Sequence, residues 1–164
     1  METEEINIRF NEDLRRQIDG TLPKGHIYKL GNPGRILKEA GIPDLPIELN
    51  AKTLETKASP NYKNTHPFDL SEVKDLPWAI QNPIMVFDSR TRTGSKVIIT
   101  RLKSRGINFM AAVETNHKKG SDRVGITKIN SVRSVYPKDR VGAVLDWVGD
   151  GLLIYAYTNE APKP

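Results

Sequence analysis

Ile84-Met-Val-Phe87, Val97-Ile-Ile-Thr100 and Asn108-Phe-Met-Ala-Ala-Val113 follow one another with short polar connections between them. β-branched and aromatic residues dominate these runs, which suits a pleated, half-buried surface. Ser89 to Ser95, with Gly94 inside it, reads as a hairpin loop, and Gly106 marks the next turn. Connections this short favour antiparallel neighbours. His117-Lys-Lys-Gly120 reads as a loop. Ile126 to Val135 reads as a fourth strand, whose irregular apolar alternation leaves room for a bulge or break.

On the C-terminal side, Pro137 opens a loop, and a helix is expected from about Arg140 to Asp150, stopped by Gly149 and Gly151. Leu152-Leu-Ile-Tyr-Ala-Tyr157 reads as a last strand. The N-terminal half reads as helices. Asn11 is placed to cap a helix beginning at Glu12, with Gly20 ending it. His26 to Leu30 suits a short strand. Asn32-Pro33 suits the start of a second helix, with Asn as cap and Pro in the first turn, and Gly41 stops it. Ile47-Glu-Leu49 suits a short extended piece, and Asn50 suits the cap of a helix carrying Leu54 and Lys57. Ser59 to Thr65 reads as a loop closed by His66-Pro67. Asp69 or Ser71 suits the cap of a third helix running to about Leu76, and Pro77 and Pro83 frame Trp78-Ala-Ile80.

This order predicts an α+β fold: N-terminal helices packed on a four- to five-stranded, mainly antiparallel sheet, with a C-terminal helix and strand. The 164 residues suit one domain, with residues 1–25 as a helical extension, 26–158 as the core and 159–164 as a frayed tail. With no cysteine, no disulfide or thiolate metal site can form. His26, His66 and His117 stand far apart in sequence, and no metal or other cofactor is expected. No apolar run approaches the ~20 residues of a membrane span. Met1 is followed by Glu2, Glu4 and Glu5, the wrong chemistry for a signal peptide, so a cytoplasmic protein is expected.

The formal charge of +5 is unevenly spread. Residues 81–140 hold thirteen Lys/Arg against four acids, a net of +9, so the rest of the chain carries −4. A basic half of this kind is the footprint expected of a nucleic-acid binder.

Three groups can carry chemistry. His66, at a loop–helix junction, suits acid–base work on a ribose 2′-hydroxyl, with Lys57 upstream to stabilise phosphate charge. Ser134 and Tyr136 share a strand face and can hold a phosphate. Val132 is expected in their row, with Ser131 and Arg133 on the opposite face; Arg133 joins the pair only if the strand bulges. Ser89-Arg-Thr-Arg-Thr93 offers Ser89, Arg90 and Arg92 as a phosphate clamp. Lys96, Arg101, Lys103 and Arg133 extend the basic set for nucleic acid. The sequence has no GxxxxGK[ST], GxGxxG or GxSxG motif and no cluster of carboxylates suited to two metals. Phosphodiester cleavage would then proceed by 2′-hydroxyl attack, which needs RNA.

A family pattern runs through the chain. His26-Ile-Tyr-Lys-Leu-Gly-Asn-Pro33, Gly41-Ile-Pro43, Ile47-Glu-Leu49, His66-Pro-Phe68, Leu76-Pro77, Asn82-Pro-Ile-Met-Val-Phe-Asp-Ser89, Ser134-Val-Tyr-Pro-Lys138 and Gly151-Leu-Leu-Ile-Tyr155 occur in that order. Over residues 26–158 the chain resembles the MuF C-terminal type of domain of phages and conjugative elements, a group placed with the barnase–EndoU–colicin–RelE-like nuclease fold. The resemblance implies metal-independent ribonuclease or toxin chemistry, with His66, Ser89, Ser134 and Tyr136 on matching positions and an immunity protein as a partner. Thr158-Asn159 stands where a lysine is expected in similar domains. Such domains also end large mobile-element polyproteins with helicase and methylase regions, so a piece of this kind can inherit a methyltransferase name; nothing in the sequence resembles a methyl-donor site. The alternative to a ribonuclease is a non-catalytic nucleic-acid-binding module, or an interaction module of a larger phage protein.

Overall fold

The computed structural model describes residues 2–59, 67–121, 125–138 and 141–157. Five α-helices and seven strands follow one another along these residues: α1 Glu2–Asp19, β1 Ile27–Gly31, α2 Arg35–Glu39, β2 Ile47–Asn50, α3 Ala51–Ala58, α4 Leu76–Gln81, β3 Met85–Asp88, β4 Ser95–Ser104, β5 Ile107–Ser121, β6 Gly125–Pro137, α5 Val141–Gly149 and β7 Leu153–Ala156. One sheet holds all seven strands in the order β1-β2-β6-β5-β4-β3-β7. Every pairing is antiparallel except β2 with β6. The α+β class is as expected, but the sheet is wider than four or five strands. His26–Leu30 and Ile47–Leu49, read as isolated short pieces, pair with each other and extend the sheet past β6.

Two apolar clusters flank the sheet. The larger one packs Phe10 and Leu14 of α1, Leu37 of α2, Leu54 of α3 and Ile80 of α4 onto one face, against strand residues such as Val86, Ile98, Phe109 and Val113. Each fully buried side chain of this size contributes about 1.5–3 kcal/mol. On the other face, Val144 and Trp147 of α5 pack against Phe87, Val97 and Met110. Alternation along β3 and β4 divides the faces cleanly: Val86 and Ile98 point one way, Phe87 and Val97 the other. Among the described residues, no side chain of β1 or β2 belongs to the α5 cluster.

Several boundaries differ from the sequence expectation. α1 begins at Glu2, not Glu12, because Asn11 is no cap. Asn7 and Asn11, one turn apart, instead grip the start of α4. Their Nδ2 groups donate to Asp75 Oδ1 at 2.7 and 2.8 Å, and their Oδ1 atoms accept from Trp78 N at 3.1 Å and Asp75 N at 2.8 Å. Asn11's hydrogen bond holds the Asp75 carboxyl below the ordinary carboxylate range despite partial burial, with help from Asn7. α2 starts at Arg35 behind Gly34, two residues later than read. Asn50 does cap α3, accepting from Lys52 N at 2.9 Å. The third helix is a single 3-10 turn, Leu70–Val73, with Glu72 Oε1 accepting from Asp69 N at 3.0 Å. Asp75, with φ of 68°, then breaks the chain direction, and the Trp78 segment forms α4. His117–Gly120 is not a loop: it lies inside β5.

Candidate nucleic-acid interface

The β5–β6 hairpin sets the geometry of the site. Ala112 pairs with Ser134 and Val113 with Val132, so Arg133 is an extra residue in β6. Further out, Glu114 pairs with Ser131 and His117 with Ile129, so β5 carries its own extra residue around Thr115-Asn116. Asn116 there has φ of 55°, the left-handed region that Asn tolerates better than most residues.

These bulges overturn the simple parity expected of β6. Val132 does not share a row with Ser134: it enters the main core together with Val135. Arg133 instead turns to the α5-side face, where its Nη1 contacts Glu114 Oε1. In a regular strand Glu114 and His117, three apart, would face opposite ways. The extra residue puts them on one face, with His117 Nδ1 at 3.1 Å from Glu114 Oε2. Arg92 Nη1 approaches the same carboxylate to 3.8 Å. The hydrogen bond from His117 holds the Glu114 carboxyl below the ordinary range against partial burial, aided by the charges of Arg133, His117 and Arg92.

Beside this cluster lies a pocket of about 300 Å³, with Val97 and Ala112 on its floor and Ser89, Arg92, Arg133 and Ser134 on its walls. The Ser89–Ser95 loop forms one wall. Ser89 Oγ accepts from Arg92 N at 3.2 Å, and Thr115 ties Gly94 O down through both its hydroxyl and its N–H.

The expected site residues divide. Ser89, Arg92, Arg133 and Ser134 come together at the pocket. Tyr136 is half-buried further along β6, and Lys57 Nζ lies 5.7 Å from its ring centroid, so α3 of the helical half does reach the basic sheet. Arg90 reaches Asp150 at 2.7 Å, beyond α5. Lys96 contributes to the pocket wall, but its ammonium pairs with Asp88 at 2.6 Å. Arg101 donates to Asn82 O at 3.2 Å and lies 4.3 Å over the Tyr157 ring, away from the pocket. Lys103 is exposed at the opposite end of β4, across from Asn108. His66 lies outside the described residues. Sequence reasoning missed Glu114 and His117. Their spacing carries no meaning on a strand unless the bulge between them is known; the only local signal was Asn116, a residue type that tolerates positive φ.

The fold and site define a mixed-sheet α+β domain with an arginine-walled pocket on one sheet face. The chain belongs to the family described as the phage MuF-C-terminal domain, whose family model matches residues 57–163. That span includes the whole β3–β6 region and the pocket. No curated protein and no solved structure matches the chain.

Proposed function

We propose that this domain is a metal-independent endoribonuclease-type module of a larger phage protein, with the Arg92–Arg133–Glu114–His117 cluster at its centre. The observation that carries this reading is the bulge at Arg133, which sets a guanidinium beside Ser134, Arg92 and an acid–base pair at the mouth of one pocket. Cleavage by 2′-hydroxyl attack requires three things: a group to take the 2′ proton, donors for the charged phosphoryl oxygens, and an acid for the leaving 5′-oxygen. Two guanidiniums offer bidentate donors to phosphate. Ser134 and Ser89 hydroxyls add neutral donors. Glu114, ionised at neutral pH, accepts from His117 Nδ1–H and so leaves Nε2 as the working nitrogen. His117 serves as one acid–base group, and His66, the residue singled out in the sequence, is assigned the complementary one. The 2′-oxygen attacks phosphorus, the P–O5′ bond breaks, one histidine takes the 2′ proton and the other protonates O5′. The product is a 2′,3′-cyclic phosphate.

The test is cleavage of unstructured RNA in EDTA, with the cyclic phosphate identified by mass. His117→Ala and His66→Ala are each expected to lower the rate by roughly 10²–10⁴-fold without unfolding the chain. Arg133→Ala should cost roughly 10–150-fold, the worth of a charge-assisted hydrogen bond. Inactivity of the wild type on tRNA, rRNA and mRNA sinks the catalytic reading. Salt-dependent binding without cleavage would instead identify a binding module.

A further inference from the structure

The α5-side face of the sheet continues beyond the pocket, over β6, β2 and β1. Ile47 and Leu49 point into the main core, so Glu48 between them faces this side. Glu48 is nevertheless buried, because the stems of two lysines cover it. Its Oε2 accepts from Lys29 Nζ at 2.8 Å and its Oε1 from Lys119 Nζ at 2.6 Å. Lys29 comes from β1, and Lys119 reaches over from β5. Two ammonium groups on one carboxylate leave a net positive charge. Their side chains remain 67% and 39% exposed, so N–H donors beyond those given to Glu48 face solvent. An open groove of about 630 Å³ lies here, lined by Lys29, Glu48, Lys119, Thr127 and Lys128.

Lys119 and His117 are two apart on β5, past the bulge, and share a face. Arg92, Arg133, His117, Lys119 and Lys29 thus follow one another across a face that α5 leaves open. Lys119 stands four register steps from Glu114, about 13 Å at roughly 3.3 Å per residue.

We propose that this open face is the track for a single strand of RNA, and that the Lys29–Glu48–Lys119 cluster is a second phosphate subsite flanking the cleaved bond. The inference rests on the pocket being the reaction centre. It makes the substrate an oligonucleotide: a dinucleoside monophosphate has one phosphate and cannot occupy both subsites. Glu48 acts as the positioning residue that holds both ammonium groups at the surface.

The opposite face supplies the control. Lys118, next to Lys119 on β5, is exposed, has the other parity and does not line the groove. The probe is a fluorescent 2′-O-methyl RNA octamer, which binds but cannot undergo 2′ attack. Lys29→Gln with Lys119→Gln is expected to weaken octamer binding at least tenfold. It should also lower the magnitude of the salt slope by roughly 0.7 for each phosphate no longer neutralised. Cleavage of a dinucleoside monophosphate should stay within twofold of wild type. Lys118→Gln should leave octamer affinity unchanged. If the double variant is unstable, adding Glu48→Gln removes the stranded carboxylate and gives the same reading. Unchanged octamer affinity in the Lys29/Lys119 variants, an equal loss from the Lys118→Gln control, or tighter binding of duplex than of single-stranded RNA would overturn the track. The pocket is judged separately: if Arg133→Ala leaves dinucleotide cleavage untouched, the reaction centre itself is misplaced, whatever the lysines do.

Discussion

Deleting Arg133 separates a bulge residue from an ordinary strand residue. If Arg133 is the extra residue of β6, its removal closes the strand into a regular ladder. Val113 keeps Val132, Ala112 keeps Ser134, and no side chain changes face. The cost should stay within about 1 kcal/mol, a shift of roughly 2–4 °C in Tm for a chain of this size. If Arg133 were instead a paired position, deletion would slip one half of β6 and expel valines from the core. Val132 and Val135 are 3% and 0% exposed, and burial of each is worth about 1.5–3 kcal/mol. The destabilisation would then reach about 3–6 kcal/mol, before counting the polar groups driven inward. Urea denaturation distinguishes the two outcomes, with deletion of Ser131 as a comparison. Ser131 is paired with Glu114, and its removal would also drag the buried Asn130 away from the Pro43 and Leu45 carbonyls that it donates to. The Arg133 deletion should fold nearly as well as wild type yet bind RNA as poorly as Arg133→Ala. A stability loss above about 3 kcal/mol, or a loss equal to that of the Ser131 deletion, would refute the bulge assignment and the site built on it.

Asn11→Ala removes two hydrogen bonds at Asp75 and should cost roughly 1.5–3 kcal/mol in urea denaturation, because one of them serves a carboxylate. The Asp75, Glu48 and Glu114 carboxyls are all held below their ordinary values in the fold. For Glu48, burial pushes the other way, but the hydrogen bonds from Lys119 and Lys29 prevail. Groups depressed in this way stabilise the fold fully above their unfolded pKa values and lose that contribution as pH falls through the folded ones. Tm should therefore drop as pH falls below about 4, and Asp75→Asn should flatten part of that drop. Gly120→Ala should open the hairpin end, seen as faster amide exchange near Gly125. At φ of 104° its Cβ would stand 2.5 Å from Gly125 O, a strain on the order of 1–3 kcal/mol.

The sequence displayed its strands more clearly than its helices. Val97–Thr100 and Asn108–Val113 were legible because β-branched runs between turn signals have few other readings. Asn11 misled because a cap and a tertiary clasp use the same side chain; only the position of Asp75, 64 residues away, distinguishes them. β1 and β2 looked isolated because their pairing is with each other and, in parallel, with β6, and no local pattern encodes a crossover. The charge count located the basic half correctly but not its use. Arg90 and Arg101 are tied to Asp150 and the Asn82–Tyr157 corner, and Lys96 lines the pocket with its ammonium on Asp88, whereas Arg92 and Arg133 converge at the pocket on the shared carboxylate of Glu114. A charge run reports composition, while a site depends on which cations a bend in the backbone brings together.

The two bulges of the β5–β6 hairpin sharpen that distinction. One adds a residue to β6 and the other adds one to β5, so their offsets cancel. Phe109 pairs with Pro137 at one end and Ser121 with Gly125 at the other in the same register, and only the Val113–Val132 and Glu114–Ser131 rungs between the bulges are displaced. Because the insertions compensate, neither is needed to bring the ends of the hairpin to their places in the sheet. What they add is local. The first turns Arg133 outward next to Ser134 without moving Val132 or Val135 from the core. The second aligns His117 with Glu114 and lets Thr115 fasten Gly94, and with it the loop that carries Arg92. Departures from regular pairing that leave the global register unchanged, and that both open onto one arginine-walled pocket, are better explained by the chemistry of that pocket than by the requirements of the fold.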